Sequence, residues 1–223
     1  MKILVVNPVG HPKWDEQDRR LYNLFASPGT EVDVVSLPRG PPSVESPRSH
    51  AEVIPLVVER VLKLHKGYDA VIVNCFLDPA VELLRGIIKK PVVGPCESSL
   101  AIASILSKRI AIVTVGGDAL WMIEDRVSQL GYSDYIVTIK GIELTVLQLE
   151  EDPERTKAML ISKARESIDG GAEVIVLGCT GLAGLAETVR DAVNRPVIDP
   201  AGAALKVAEA MVRLGLFSPK AKW

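Results

Sequence analysis

The sequence predicts an α/β protein of two pseudo-symmetric lobes, each with a mainly parallel four-stranded sheet flanked by helices, with the active site in the cleft between them. Three observations predict it. Short β-branched runs alternate with helix-spaced segments along the chain. Of the 223 residues 48% are hydrophobic but only 4% aromatic, so Val, Ile, Leu and Ala supply the apolar content, as helices packed on a parallel sheet require. An apolar run ending in a cysteine occurs twice, as Ala70-Val-Ile-Val-Asn-Cys75-Phe-Leu-Asp-Pro79 and as Val174-Ile-Val-Leu-Gly-Cys179-Thr-Gly-Leu-Ala-Gly184, and each copy continues through a helix-like segment into a proline-led apolar run.

Taken in order, Lys2 to Asn7 is a buried strand that ends in Asn-Pro. A helix over Trp14 to Ala26 and a strand over Val32 to Leu37 follow, then a loop from Pro38 to Pro47 too rich in Pro and Gly for regular structure. Helical spacing of Val53, Leu56, Val57, Val61 and Leu64 places a helix over His50 to Lys66. Asp69 to Cys75 is a strand, and Asp78-Pro79 is the N-cap and N1 pair of a helix to about Lys89. Pro91 to Pro95 is a short strand and Glu97 to Leu106 a helix.

At Arg109 the pattern restarts. Arg109 to Val115 is a strand, Gly116-Gly117-Asp118 turns into a helix to about Leu130, and Tyr135 to Ile139 is a strand. Ile142 to Glu151 is ambiguous. Pro153 to Gly170 is a long helix, Ala172 to Gly178 a strand, Gly181 to Val193 a helix, Pro196 to Asp199 the last strand and Gly202 to Leu214 the closing helix. Pro91-Val-Val-Gly-Pro-Cys96 aligns with Pro196-Val-Ile-Asp-Pro-Ala201, and Cys75 with Cys179, at offsets that differ by one residue. The expected lobes are 1–97 plus 203–223, carrying Cys75, and 98–202, carrying Cys179.

Net charge is −2 with no basic run, so no nucleic-acid footprint is present. No apolar stretch reaches the roughly 18 to 20 residues a membrane span needs, and the N-terminus lacks a signal-peptide layout, so a cytoplasmic location and no membrane partner are expected. Three cysteines argue against a disulfide framework. Neither they nor His11, His50 and His65 show metal-ligand spacing, so no metal is expected. The apolar end of the last helix and Trp223 suggest either a contact surface, such as a homo-oligomer uses, or core and a disordered end.

Each thiol is expected where a strand meets a helix N-terminus, whose partial positive charge favours thiolate. If the pseudo-twofold axis brings Cys75 and Cys179 to opposite walls of one cleft, a carbon between them loses a proton to one and gains one from the other. That is two-base racemisation. The enolate would be held by peptide N–H groups of Phe76, Thr180 and Gly181, and Asn7, at a strand's carboxyl end, is candidate pocket wall. The alternative for any of these thiols is a small buried hydrophobe, and Cys96, aligned with Ala201, is read that way.

The strand end Asn7-Pro8, Gly40-Pro-Pro-Ser-Val-Glu45, Asp69 to Pro79, Pro91-Val-Val-Gly94 and Gly178-Cys-Thr-Gly-Leu-Ala183 together resemble hydantoin racemase, within the aspartate/glutamate racemase superfamily. The resemblance spans nearly the whole chain. It implies a racemase that needs no cofactor, with Cys75 and Cys179 as the catalytic pair and with Asn7, Phe76, Thr114, Gly116, Thr180 and Gly181 holding the polar groups of a small-molecule substrate. Where hydantoin racemases tend to read Cys-Phe-Gly-Asp-Pro-Gly, this chain has Leu77 and Ala80, and Asn-Pro-Val-Gly stands in place of Asn-Pro-Asn-Thr. A 5-substituted hydantoin or related amino-acid derivative is the expected substrate, since no Arg or Lys lies inside either cysteine motif to receive a carboxylate. An aspartate/glutamate-type amino-acid racemase, a maleate isomerase-like or arylmalonate decarboxylase-like enzyme, a two-lobed binding protein without chemistry and a redox thiol pair are the alternatives.

Overall fold

Lys2–Asn7 forms β1, and all of its residues but Lys2 are buried, as a central strand covered on both faces must be. The structure, a computed structural model, describes residues 1–219; Trp223 lies outside the described residues. After β1 come α1 (Asp15–Phe25), β2 (Glu31–Ser36), α2 (Pro47–Leu64), β3 (Ala70–Val73), α3 (Val81–Ile87), β4 (Val92–Val93) and α4 (Pro95–Leu106). The second series is β5 (Ile110–Val115), α5 (Ala119–Gln129), β6 (Ile136–Ile142), α6 (Pro153–Asp169), β7 (Val174–Leu177), α7 (Ala186–Val193), β8 (Val197–Ile198) and α8 (Pro200–Arg213). The segment left ambiguous between β6 and α6 carries a short 3-10 turn, Val146–Gln148.

The chain divides into two units. The first holds Met1–Val44, Arg48–Pro95 and the chain from Ala201 on; the second holds Glu45–Pro47 and Cys96–Pro200. The first sheet runs β2-β1-β3-β4 and the second β6-β5-β7-β8, every pairing parallel. Registers match as well: Ile3 pairs with Ala70 and Ile110 with Val174. The duplication seen in the sequence is therefore a duplication of sheet topology.

In the first unit Leu4, Val6, Val71 and Val73 pack with Val53, Val57 and Val61 of α2 and with Val81 and Leu84 of α3. In the second, Ala111, Val113, Ile175 and Leu177 pack with Leu160 and Ala164 of α6 and Val189 of α7. Helices α4 and α8 begin at Pro95 and Pro200, where a proline costs no hydrogen bond. The unit boundaries fall inside these first turns. Cys96 is fully buried there, as is its counterpart Ala201 at 1% exposure.

The structure corrects two expected helix starts. Asp78-Pro79 does not open α3, because Asp78 (φ 49°) and Ala80 (φ 66°) both take the left-handed region and delay the helix to Val81. Likewise α7 starts at Ala186 and not Gly181, since Thr180–Leu182 is only a 3-10 turn and Gly184 (φ 87°) reverses the chain behind it. Among the described residues no helix is long and apolar enough to cross a membrane.

Candidate active site

In both sheets the strand order reverses between the first and third strands of the series, and in open α/β sheets that switch point, outside the carboxyl ends, is where ligands bind. Both motif cysteines lie there. The ladder runs one residue past each third strand, with Asn74 N–H donating to the Val6 carbonyl at 2.9 Å and Gly178 N–H to the Val113 carbonyl at 2.8 Å. Cys75 and Cys179 follow immediately, and the carbonyl of each accepts from the residue three ahead, Asp78 at 2.9 Å and Leu182 at 3.0 Å. Strand end, cysteine and tight turn are thus built the same way in both units.

Beneath Cys75 the two strand ends are tied together. Asn74 Nδ2 donates to Asn7 Oδ1 at 2.7 Å, while Asn7 Nδ2 donates to Asp15 at 3.0 Å and to Asp18 at 2.8 Å. The Tyr22 hydroxyl donates to Asn74 Oδ1 at 2.9 Å, and Asp15 receives the Ser36 N–H at 3.0 Å and its hydroxyl at 2.5 Å. Both amide hydrogens of Asn7 are consumed in this network, and its side chain is 3% exposed. The network closes because Asp15, Asp18 and Tyr22 recur along one face of α1 at the spacing of successive helical turns. That polar stripe is the signal in the sequence for these residues, which the candidate set above does not include.

In the second unit the same tie is made with fewer atoms. The fully buried Thr114 hydroxyl donates to the Gly178 carbonyl at 2.7 Å. A side chain at Gly178 has no room, since a Cβ there would stand 2.5 Å from Ile112 Cγ2 and 2.9 Å from Thr114 Cβ. Gly116 N–H donates to the Leu144 carbonyl at 3.2 Å. Gly181 lies against the sulfur: a Cβ on it would be 3.5 Å from Cys179 Sγ and 2.9 Å from Leu149 Cδ1. Phe76 is buried at 3% exposure, Thr180 is half-buried and Gly181 is exposed.

The expectation of a thiolate-favouring helix end is corrected at Cys179. Burial pushes its thiol up to about 11, the Glu45 carboxylate pushes the same way, and the Gly181 and Leu182 N–H groups only partly oppose them. No α-helix starts at the residue to supply the macrodipole the sequence suggested. At neutral pH these effects keep Cys179 in the thiol form. Cys75 is buried at 8% exposure, and none of the three cysteines forms a disulfide. Among the described residues no group of three or more His, Cys, Asp or Glu side chains is placed to hold a metal ion.

Arg39 and Arg48, the cations in and beside the proline-rich loop, are exposed. That loop instead contributes Glu45, whose carboxylate accepts from Val146 N–H at 2.9 Å. Its first part folds onto the loop after β1 through Gly10 N–H to the Pro41 carbonyl at 3.0 Å, and a Cβ at Gly10 would overlap the Gly40 backbone.

Comparison with known proteins gives concordant matches. The family model described as Asp/Glu/Hydantoin racemase matches residues 16–208. The chain is 35% identical over 224 residues to the hydantoin racemase of Pseudomonas sp. (strain NS671), with 100% of this chain and 90% of the relative covered. It is 32% identical over 222 residues to the hydantoin racemase of Rhizobium meliloti, covering 99% and 92%. Against the crystal structure of allantoin racemase from Pseudomonas fluorescens it superposes with a TM-score of 0.95 at 33% identity, covering 100% of this chain and 95% of that one.

Proposed function

The chain belongs to the Asp/Glu/hydantoin racemase family and is a racemase, and from that premise we propose that it inverts the carbon next to a carbonyl in a 5-substituted hydantoin by two-base proton transfer between Cys75 and Cys179. The observation that carries this reading is the repeated strand end–cysteine–turn construction, which offers one thiol in each unit at the switch point of its sheet. The hydantoin racemases at 35% and 32% identity support the substrate class, and allantoin, the compound for which the Pseudomonas fluorescens racemase is named, is itself a 5-substituted hydantoin.

In this reading the Cys75 thiolate removes the proton from C5, the electron pair moves onto the adjacent carbonyl oxygen as an enolate, and the Cys179 thiol delivers its proton to the opposite face. The starting protonation of Cys179 suits it to the donor role in that direction. Backbone N–H groups of Phe76 and Thr180 serve the enolate and ring carbonyls, and that of Gly181, which faces the Cys179 sulfur, borders the same place. Asn7, Thr114 and Gly116, whose donors are directed into their own unit, shape and hold the strand ends. No cofactor takes part in these steps. A neutral ring spares the site the carboxylate charge of a free amino acid, which fits a thiol already burdened by Glu45.

The test is incubation of reduced protein in D₂O with single enantiomers of 5-substituted hydantoins, allantoin, aspartate and glutamate, following deuteration and optical rotation. Racemisation with exchange of the hydantoins, lost in Cys75→Ala and in Cys179→Ala, is the expected result. Turnover of aspartate or glutamate alone would move the substrate to the amino acids, and full activity in either folded variant would remove the two-base mechanism.

A further inference from the structure

The loop between β2 and α2 returns one short segment, Glu45–Pro47, to the second unit, although Val44 and Arg48 on either side belong to the first. Glu45 leads that segment and is half-buried. Its carboxylate takes the N–H of Val146, the opening residue of the 3-10 turn Val146–Gln148. That turn is braced from its other side by Thr145 and Gln148, whose side chains and backbone cap each other. It stands beside the Cys179 thiol: a Cβ at Gly181 would be 3.9 Å from Val146 Cγ1, 2.9 Å from Leu149 Cδ1 and 3.5 Å from Cys179 Sγ. Glu45, the turn, Gly181 and the sulfur form one connected set.

We infer that Glu45 is a positioning residue for Cys179: seated on the Val146 N–H, it holds the turn against the Gly181 edge of the thiol and sets a negative charge near the sulfur, adding to burial in keeping Cys179 the proton donor of the pair. The inference rests on the racemase reading for the meaning of that role. A carboxylate near a sulfur disfavours thiolate by like-charge repulsion, the more so where water is excluded. The other charged side chains on the elements around Cys179 are differently disposed. Glu143, Glu150 and Glu151 near the turn and Glu187 on α7 are exposed, and Asp199 after β8 receives the Gly184 N–H at 2.6 Å. Glu45 is the charged group whose field reaches the sulfur. The two thiols then differ in role although their backbones are duplicates, because the first unit has no turn equivalent to Val146–Gln148 in its element order among the described residues.

The experiment needs no substrate, so its outcome is independent of whether any hydantoin is turned over. Wild type, Glu45→Gln and Glu45→Asp are alkylated with iodoacetamide from about pH 6 to about pH 11. The tryptic peptide between Arg165 and Arg190 carries Cys179 alone and that between Lys66 and Arg85 carries Cys75 alone, so mass spectrometry follows each rate separately. Glu45→Gln retains an acceptor for Val146 but removes the charge. It is expected to shift the Cys179 profile to lower pH, speeding alkylation near pH 8 by about three- to tenfold, while Glu45→Asp leaves the midpoint at the wild-type position. An unmoved midpoint in Glu45→Gln, or an equal movement in both variants, overturns the inference, since a purely steric role predicts the latter.

Discussion

Removing the charge of Glu209 tests how the last helix is held. Glu209 is 3% exposed on α8. Its carboxylate receives the Ser27 N–H at 2.8 Å, the Ser27 hydroxyl at 2.6 Å and the Lys206 ammonium at 3.0 Å. Burial alone would raise the carboxyl, but these donors outweigh it and hold the group at about 2, against an ordinary value of 4.5. At about 1.4 kcal/mol per unit, full linkage is worth about 3 kcal/mol. Lys206 is 48% exposed, so its share is screened by water and the contribution falls to about 2 kcal/mol.

A depressed folded-state value means that this stability is fully present above the unfolded-state value of 4.5 and is lost as pH falls through about 2. Glu209→Gln keeps one acceptor for Ser27 N–H but turns an NH₂ group toward donors. The expected result at neutral pH is a Tm lower by roughly 4 to 8 °C, taking about 2 to 4 °C per kcal/mol for a chain of this size. Thermal melts by circular dichroism at about pH 7, 4.5 and 3 should show the difference shrinking with acidity. A variant that melts with wild type at neutral pH, or a difference that stays constant down to pH 3, would refute the reasoning.

Two further outcomes follow from single positions. Ala80 has φ 66°, where a Cβ is strained and glycine is not, so Ala80→Gly is expected to raise stability by up to about 1 kcal/mol in urea unfolding, without change of fold. Tyr22→Phe removes the hydroxyl on Asn74 Oδ1. It should cost about 1 kcal/mol and lower kcat more than it raises KM, measurable by chiral chromatography of product, because Asn74 adjoins Cys75 and the substrate's own contacts are untouched.

Ala80 also explains a departure from the family pattern. Hydantoin racemases tend to carry glycine at this place in Cys-Phe-Gly-Asp-Pro-Gly, and the left-handed backbone here shows why glycine suits it. The expected start of α3 at Asp78-Pro79 failed for the same reason: the pair has good capping chemistry, but the left-handed backbone at Asp78 and again at Ala80 carries the chain past it, with Asp78 packed against Gly94 behind β4. Asp78 is buried at 2% exposure, and a Cβ on Gly94 would overlap its carboxyl group.

The fold class and the duplicated cysteines are legible in the chain because they rest on local pattern. β1, β3, β5 and β7 are short apolar runs buried on both faces, and a motif that repeats about a hundred residues later carries the same sheet order with it. What no local pattern encodes is decided by segments that meet only on folding. Asp15 and Asp18 matter because α1 lays them on Asn7. Glu45 matters because its loop returns it to Val146, 101 residues away in sequence. The protonation of Cys179 is the clearest case. Its sequence setting suggested a helix end and a lowered thiol, yet the free energy of a thiolate depends on how much water and which charges surround the sulfur, and only the packed structure specifies those.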